Sequence, residues 1–430
     1  MQILLINHYA GSPHHGMEFR PYYLAREWVR AGHRVTIVAA SVSHLRQQAP
    51  VMNGQPWRQE WIDGIDYRWV STPCYERNGL GRLANIICFL GRLWRQADAL
   101  SSELAPDLVI ASSTYPLDIW PAAAIARRAG ARLVFEVHDL WPLTPIELHG
   151  MSRWHPFVQL LQAAEDFACR RADTVISMLP KVGSYLQQHG MAAHKLHWIP
   201  NGIAPAEWGQ GAASLSVPAA ALLSQLKAEE RFVIGYAGCH GQANALDSLL
   251  EAAQRVDGGR YAFVLVGAGP HKAALMARAR NQANVHFLDP VPKAEIPALL
   301  AQFDLAYLGW RPHRLYRFGI APNKLMDYMM AARPIVHAVD AGNDPVVEAG
   351  CGLSIAPGDS AALADAIDAL RAIDAPQRLR MGERGRTYVL AQHDYRHLAP
   401  SFLLACAPPC AQPPLANPLV DGDQHEPACH

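Results

Sequence analysis

The chain opens on an apolar run, Ile3-Leu4-Leu5-Ile6, and then repeats one alternation: a short β-branched run, a polar or glycine-bearing loop, a longer stretch of helical spacing. The opening run predicts a buried strand. Residues 22–31 carry Leu24, Trp28 and Val29 on one side of a helical period, and Gly32-His33 ends that helix before the strand Val35-Thr36-Ile37-Val38. Strand runs return at residues 108–111, 133–137 and 174–177. Strands separated by helices imply parallel pairing, because parallel strands need a crossover, and crossovers are right-handed. The pattern predicts a doubly wound α/β domain that collects ligands at the carboxyl ends of its strands.

The rhythm breaks at Ile199-Pro200-Asn201-Gly202, and an Ala/Ser-rich stretch follows to about residue 228. Strand-helix alternation then resumes, with strand runs at 232–236, 263–266, 285–288, 305–308, 334–338 and 353–355. Two α/β units put a cleft between them. The expected division is a first domain over 1–200, a second over 201–385, a helix over 386–405 returning to the first, and a Pro-rich disordered tail over 406–430. With 430 residues, half of them hydrophobic, each unit can bury its own core.

Charge narrows the function. Lys plus Arg and Asp plus Glu both number 38, so the formal net charge is zero. That excludes a dedicated nucleic-acid binder, which needs a basic field, and an acidic disordered chain. The eight cysteines follow no metal-ligand or disulfide spacing and read as reduced thiols of a cytoplasmic protein. The opening MQILLINHYA lacks a charged signal-peptide n-region, and no apolar run reaches the length of a membrane helix.

Three segments carry candidate chemistry. The loop from His8 to Glu18 holds Gly11 and Gly16 ahead of a helix, so its backbone N–H groups can approach a phosphate or sugar oxygen. It is neither a G-x-G-x-x-G fingerprint nor a Walker A loop, which weakens hydride-transfer and NTPase readings. Glu18 and Arg20 at its end are acceptor-side candidates. In Phe135-Glu136-Val137-His138-Asp139, His138 and Asp139 fall near a carboxyl strand end. There a neutral imidazole can donate to a substrate hydroxyl, and a neighbouring carboxylate can orient it. In Arg317-Phe318-Gly319-Ile320-Ala321-Pro322-Asn323-Lys324-Leu325-Met326-Asp327, Pro322 suits a helix start. Lys324 and Asp327, three apart, share a helix face near its positive end. A lysine beside free N–H groups suits a diphosphate, and a carboxylate one turn on suits ribose hydroxyls.

These residues bring a resemblance. The chain resembles a GT-B glycosyltransferase of the large retaining family 4 over residues 1 to about 405. LAREWVRAGHRVTIVAA, RRADTVISM, HWIPNGI, FVIGYAG, FVLVGAGP and NVHFLDPVPKAEIPALLAQFDLAYLG carry the likeness. INHYAGSPHHGMEFRPYYLAREW and APNKLMDYMMAARPIV are similar to a subgroup that builds bacterial O-antigen and exopolysaccharide chains, including fucosyl- and N-acetylfucosaminyl-type transferases. The resemblance implies two Rossmann-like domains facing a cleft. It implies a UDP- or GDP-sugar donor held by Gly16, Gly238, Asn323, Lys324, Asp327 and Arg317, with His138 and Asp139 as catalytic residues. It also implies an acceptor hydroxyl on a lipid-linked glycan, and retention of configuration with the leaving phosphate taking the acceptor proton. The chain departs from the family at three places, one of them Gly16-Met17 where the family has a glycine pair in the first loop. Many members have two glutamates in the third segment; the second is Asp327 and the first is Gly319, so the acid near the donor sugar is missing. The usual Arg and Lys after the first strand of the second domain are absent from Gly238-Cys239-His240-Gly241-Gln242, leaving Lys324, helix amides or Arg311, Arg314 and Arg317 to meet the phosphates.

No cofactor or metal is expected. Asp421-Gly422-Asp423 lies in the tail, and Cys406, Cys410, His425, Cys429 and His430 match no zinc spacing. Residues 80–94 read as a helix with a core stripe of Leu83, Ile86, Ile87, Leu90, Leu93 and Trp94. Its Arg82 and Arg92, with Arg95 beyond, could instead rest on an anionic inner membrane. A sugar-nucleotide epimerase or a non-catalytic binding subunit of the same fold are the rival readings.

Overall fold

The computed structural model describes residues 1–16, 18–44, 46–75, 79–209 and 214–408. The expectations for residues 409–430, the Asp421 and Cys410 to His430 readings among them, lie outside the described residues.

Two sheets form. The first contains β1 (Gln2–Ile6), β2 (Arg34–Ala40), β3 (Trp57–Ile62), β4 (Ile65–Val70), β5 (Leu108–Ala111), β6 (Arg132–Val137), β7 (Thr174–Ser177) and β8 (Leu196–Trp198). Its order is β3-β4-β2-β1-β5-β6-β7-β8, parallel except for β3 against β4. The second contains β9 (Phe232–Ala237), β10 (Tyr261–Val266), β11 (Val285–Leu288), β12 (Leu305–Gly309), β13 (Ile335–Ala338) and β14 (Gly352–Ile355), in the order β11-β10-β9-β12-β13-β14 and wholly parallel. Strand order reverses between β1 and β5 in one sheet and between β9 and β12 in the other. Each reversal opens a crevice at the carboxyl ends of the strands. Helices cover both faces, so the central strands are buried end to end, as continuous apolar runs demand.

The β3–β4 hairpin is absent from the sequence-based expectation. Its signal is Asp63-Gly64 between two alternating runs, and both residues take positive φ (49° and 79°), as a two-residue I′ turn requires.

The chain crosses between the two units twice, and the crossings are bonded to each other. The Ile203 amide donates to His393 O (2.7 Å) and the Tyr395 amide to Ile203 O (3.1 Å). The His393 ring meets Asn201 O at 2.7 Å. The helix Ala375–Gln392 stays with the second unit, so the return begins at His393, seven residues later than expected from the sequence. The helix Tyr395–Ala405 then lies on the helix Arg20–Arg30: Trp28 Nε1 donates to Ala399 O (2.8 Å), and the Trp28 and Phe402 rings meet at 5.2 Å. Truncating the fully buried Phe402 to Ala should cost the first unit about 3–5 kcal/mol. Hydrogen exchange is then expected to quicken in the helix Arg20–Arg30 and to stay unchanged in the helix Asn323–Met330.

Candidate functional site

At the reversal point of the first sheet, three strand ends converge: Asn7 and His8 after β1, Ser112 after β5, His138 after β6. Glu136 and His138 are two apart, so the strand period aims both side chains to one face. The Glu136 carboxylate is completely buried. Its Oε1 accepts from Arg20 Nε (2.9 Å), and its Oε2 accepts from Ser112 Oγ (2.6 Å) and faces His138 Nε2 at 3.1 Å. Burial by itself would raise this carboxyl; the Arg20 guanidinium and His138 overcome that and hold it down at about 2. An ionised carboxylate only accepts, so the network puts the imidazole proton on Nε2. Nδ1 is then turned toward Glu18, whose Oε1 lies 3.9 Å away on the opening loop. The neutral ring therefore offers Nδ1 as an acceptor, not the donor expected from sequence, and becomes a donor there only when protonated. Below it lies buried Asp118, lifted to about 7 by burial, which accepts from the Ser113 amide.

At the reversal point of the second sheet, β9 ends in Gly238, whose φ is 155°. A Cβ there would stand 3.1 Å from Lys324 Cε, so glycine admits the lysine stem. Lys324, in the first turn of the helix Asn323–Met330, donates to Asn244 Oδ1 (2.7 Å) and Tyr236 Oη (3.1 Å). Burial lowers its ammonium to about 8. Among the described residues no carboxylate bonds to it. The Asp327 carboxylate, one turn on, accepts no hydrogen bond from any described residue. Burial lifts its carboxyl to about 7, Lys293 pulling down and Glu207 pushing up. Asn323 is exposed at the helix start.

The remaining candidates fall elsewhere. Arg20, expected on the acceptor side, is 2% exposed; its guanidinium is engaged by Glu136 and by the carbonyls of Ile199 (2.9 Å) and Pro200 (2.5 Å), leaving nothing for an acceptor. Asp139, expected to orient His138, instead accepts from the Leu140 amide, Thr144 Oγ1 and Trp141 Nε1, which closes the turn into the next helix. Gly16, at φ 89°, packs against Gln47. Arg317 reaches across the cleft to Glu147 (3.2 Å), and Arg311 pairs with Asp247 (3.1 Å). Arg314 is exposed. Glu136, not picked out by sequence reasoning, was signalled by a lone acid inside the apolar strand Arg132–Val137.

Gly319 has a physical reason. At φ 100°, a Cβ would lie 2.4 Å from Pro180 Cδ of the first unit, so the place where the resemblance leads one to expect an acid is filled by the opposite lobe. Beside it Phe318 enters the first unit's core against Tyr185 (5.5 Å), and its carbonyl accepts from the Lys181 amide (3.0 Å).

Two doubly wound lobes whose reversal points face a common cleft define the GT-B class of glycosyltransferase. The family model for a glycosyl transferase 4-like domain matches residues 15–202, and that for glycosyl transferases group 1 matches residues 231–372. The chain belongs to the family 4 glycosyltransferases of this fold. It is 26% identical to the Escherichia coli (strain K12) putative colanic acid biosynthesis glycosyl transferase WcaI over 290 residues, 65% of this chain and 69% of that one. In fold it is similar to Anabaena HepE in complex with UDP and glucose (TM-score 0.65, 19% identity, 94% of this chain and 98% of that one). It is likewise similar to WaaG, a glycosyltransferase involved in lipopolysaccharide biosynthesis (TM-score 0.62, 17% identity, 93% and 98%).

The buried pair sets an acid-sensitivity. Glu136 is held below the ordinary glutamate value of about 4.3, so its stabilisation is fully present above that pH and is lost as pH falls toward about 2. Glu136→Gln leaves Arg20 uncompensated and should cost about 3–5 kcal/mol at pH 7. The difference from wild type should shrink steadily in urea titrations between pH 4.5 and 2.5; a constant difference would mean that the carboxylate is not ionised in the fold.

Proposed function

We propose that this enzyme moves a sugar from a nucleotide-diphosphate donor, UDP- or GDP-linked, to a hydroxyl of a growing lipid-linked glycan, with retention of configuration. The observation that carries this reading is the pair of unmet groups on the second lobe. Lys324 is a half-buried cation without a bonded carboxylate among the described residues, at a helix start whose N–H groups favour anions. Asp327, one turn away, is a carboxylate without a described donor. A diphosphate supplies the charge that Lys324 lacks, and the two ribose hydroxyls supply donors for Asp327. The charge of the diphosphate is carried by Lys324 and helix amides, so the reaction proceeds without a metal ion. On the first lobe His138 Nδ1 and Glu18 face the sugar. As the glycosidic bond to the diphosphate breaks, the departing phosphate oxygen takes the acceptor hydroxyl proton while that hydroxyl oxygen bonds to the anomeric carbon. HepE with UDP and glucose, and the glycan-building activities named for WcaI and WaaG, support this donor and acceptor class.

The acceptor lobe supports a peripheral membrane contact. On the helix Leu80–Arg95 the inward positions are Asn85, Ile86, Phe89 and Leu93, whereas Leu80, Ile87 and Trp94 stand exposed on one stripe beside Arg95. This differs from the core stripe expected from the sequence, which counted Ile87 and Trp94 as inward. An exposed apolar line flanked by arginine suits an anionic lipid surface. No helix among the described residues is long and apolar enough to cross a membrane.

The decisive assay incubates the protein, after chelation, with UDP- and GDP-sugars and follows nucleotide release with and without a lipid-linked acceptor. Sugar transfer that survives chelation supports the reading; a requirement for Mn²⁺, or epimerised donor without transfer, overturns it. Asp327→Ala should weaken nucleotide binding about 10- to 150-fold, the loss of a charged hydrogen bond of roughly 1.5–3 kcal/mol. Affinity should also be bell-shaped in pH. Asp327 accepts best once ionised, above about 7, and Lys324 attracts phosphate only while protonated, below about 8. Calorimetry should show the acid limb vanish in Asp327→Asn and the alkaline limb in Lys324→Ala; a flat profile in the wild type would refute both assignments.

A further inference from the structure

Arg20 and Glu136 are the most deeply buried ion pair near the cleft, and neither has an atom to offer a substrate. Their partners give the pair a direction. The guanidinium donates through Nη1 to Pro200 O and through Nη2 to Ile199 O, the first residues of the first crossing between the lobes. The next residue, Asn201, donates through Nδ2 to Ala321 O (2.8 Å), in the loop just ahead of Asn323 and Lys324. On its other side the guanidinium gives Nε to Glu136, and Glu136 holds His138 Nε2. A line of hydrogen bonds, joined at the crossing by the Pro200–Asn201 peptide, thus runs from the donor-side loop to the imidazole on the opposite lobe.

We infer that Arg20 and Glu136 are positioning residues that fix the His138 ring and its tautomer and link that setting to the state of the interdomain crossing. The inference rests on the reading of His138 as a sugar-facing group. A guanidinium is a rigid planar fork, so its three bonds cannot adjust independently. A shift of the Ile199 and Pro200 carbonyls, as the lobes move about the crossing, rotates the fork. Glu136 follows through Oε1, and Oε2 carries His138 with it. Glu18 and Asp118, the other ionisable groups facing the ring, sit on the opening loop and below β5 and have no bond to the crossing. The coupling therefore passes through Glu136. A displacement of about 1 Å at a reacting group costs on the order of 10² in rate, so a disturbed setting should lower kcat and leave the donor KM nearly unchanged.

The test uses full-length protein with ¹⁵N-labelled histidine, the His138 signals being identified by their loss in His138→Gln. In the wild type the ring should show the Nε2–H tautomer, and UDP or GDP, which end short of the sugar, should shift its signals. In Glu136→Gln the tautomers should mix. In Arg20→Met the nucleotide-induced shift should disappear while nucleotide affinity stays within about twofold. Arg20→Lys, which keeps the charge but loses the fork, should fold and lose the shift as well, so an unstable Arg20→Met variant does not end the test. An Nδ1–H tautomer in the wild type, or an undiminished nucleotide response in Arg20→Lys, overturns the inference. If neither nucleotide binds, the proposed donor class falls, and the tautomers of wild type and Glu136→Gln still decide the role of Glu136.

Discussion

The buried Arg20–Glu136 pair is the constraint on which the first lobe and its site depend. Taking both charges out of water costs several kcal/mol each, and attraction alone rarely offsets that. Here the rest comes from further bonds to both groups: two backbone carbonyls on the guanidinium, Ser112 and His138 on the carboxylate. The same bonds tie together the start of the first long helix, the middle of the first sheet and the crossing to the second lobe. An apolar pair of equal volume could fill the space, but it would leave the Ile199 and Pro200 carbonyls without the guanidinium, and His138 Nε2 with Ser112 Oγ alone (3.0 Å).

The two lobes divide the chemistry by the sign of what they leave unmet. The second leaves a half-buried ammonium and a carboxylate one helical turn apart; the first presents an imidazole nitrogen and Glu18. Between them the approach is close enough that Pro180 occupies the volume of any side chain at position 319. That contact, together with Phe318 in the opposite core and Arg317 on Glu147, gives the cleft a second edge away from the crossings.

Most of the fold was legible because both sheets are buried on both faces, and parallel buried strands announce themselves as unbroken apolar runs. The hairpin of β3 and β4 escaped because its outer strand, Trp57–Ile62, carries no continuous apolar run and is buried only at Ile62. The Asn323–Met330 segment was read correctly as a helix opening after Pro322, since its start is encoded locally. The partners of Arg20 and Arg317 were not legible, because each is decided by residues brought near only in three dimensions: Glu136 at 116 positions from Arg20, Glu147 at 170 from Arg317. Gly319 looked like a loss when read along the chain. It is a steric fit when seen against Pro180.

The helix Tyr395–Ala405 finishes a domain that the chain began nearly four hundred residues earlier, and this has a consequence for biosynthesis. At about 5–20 residues per second, the ribosome needs roughly 10–40 s after residue 200 to deliver that helix. During that interval the nascent first lobe displays the apolar face of the helix Arg20–Arg30, Trp28 included, without its cover. The second lobe has everything it needs to fold as soon as residue 392 emerges. The order of maturation is thus reversed relative to the order of synthesis: the lobe made first is completed last, and its uncovered helix face is a natural place for a chaperone to hold the chain.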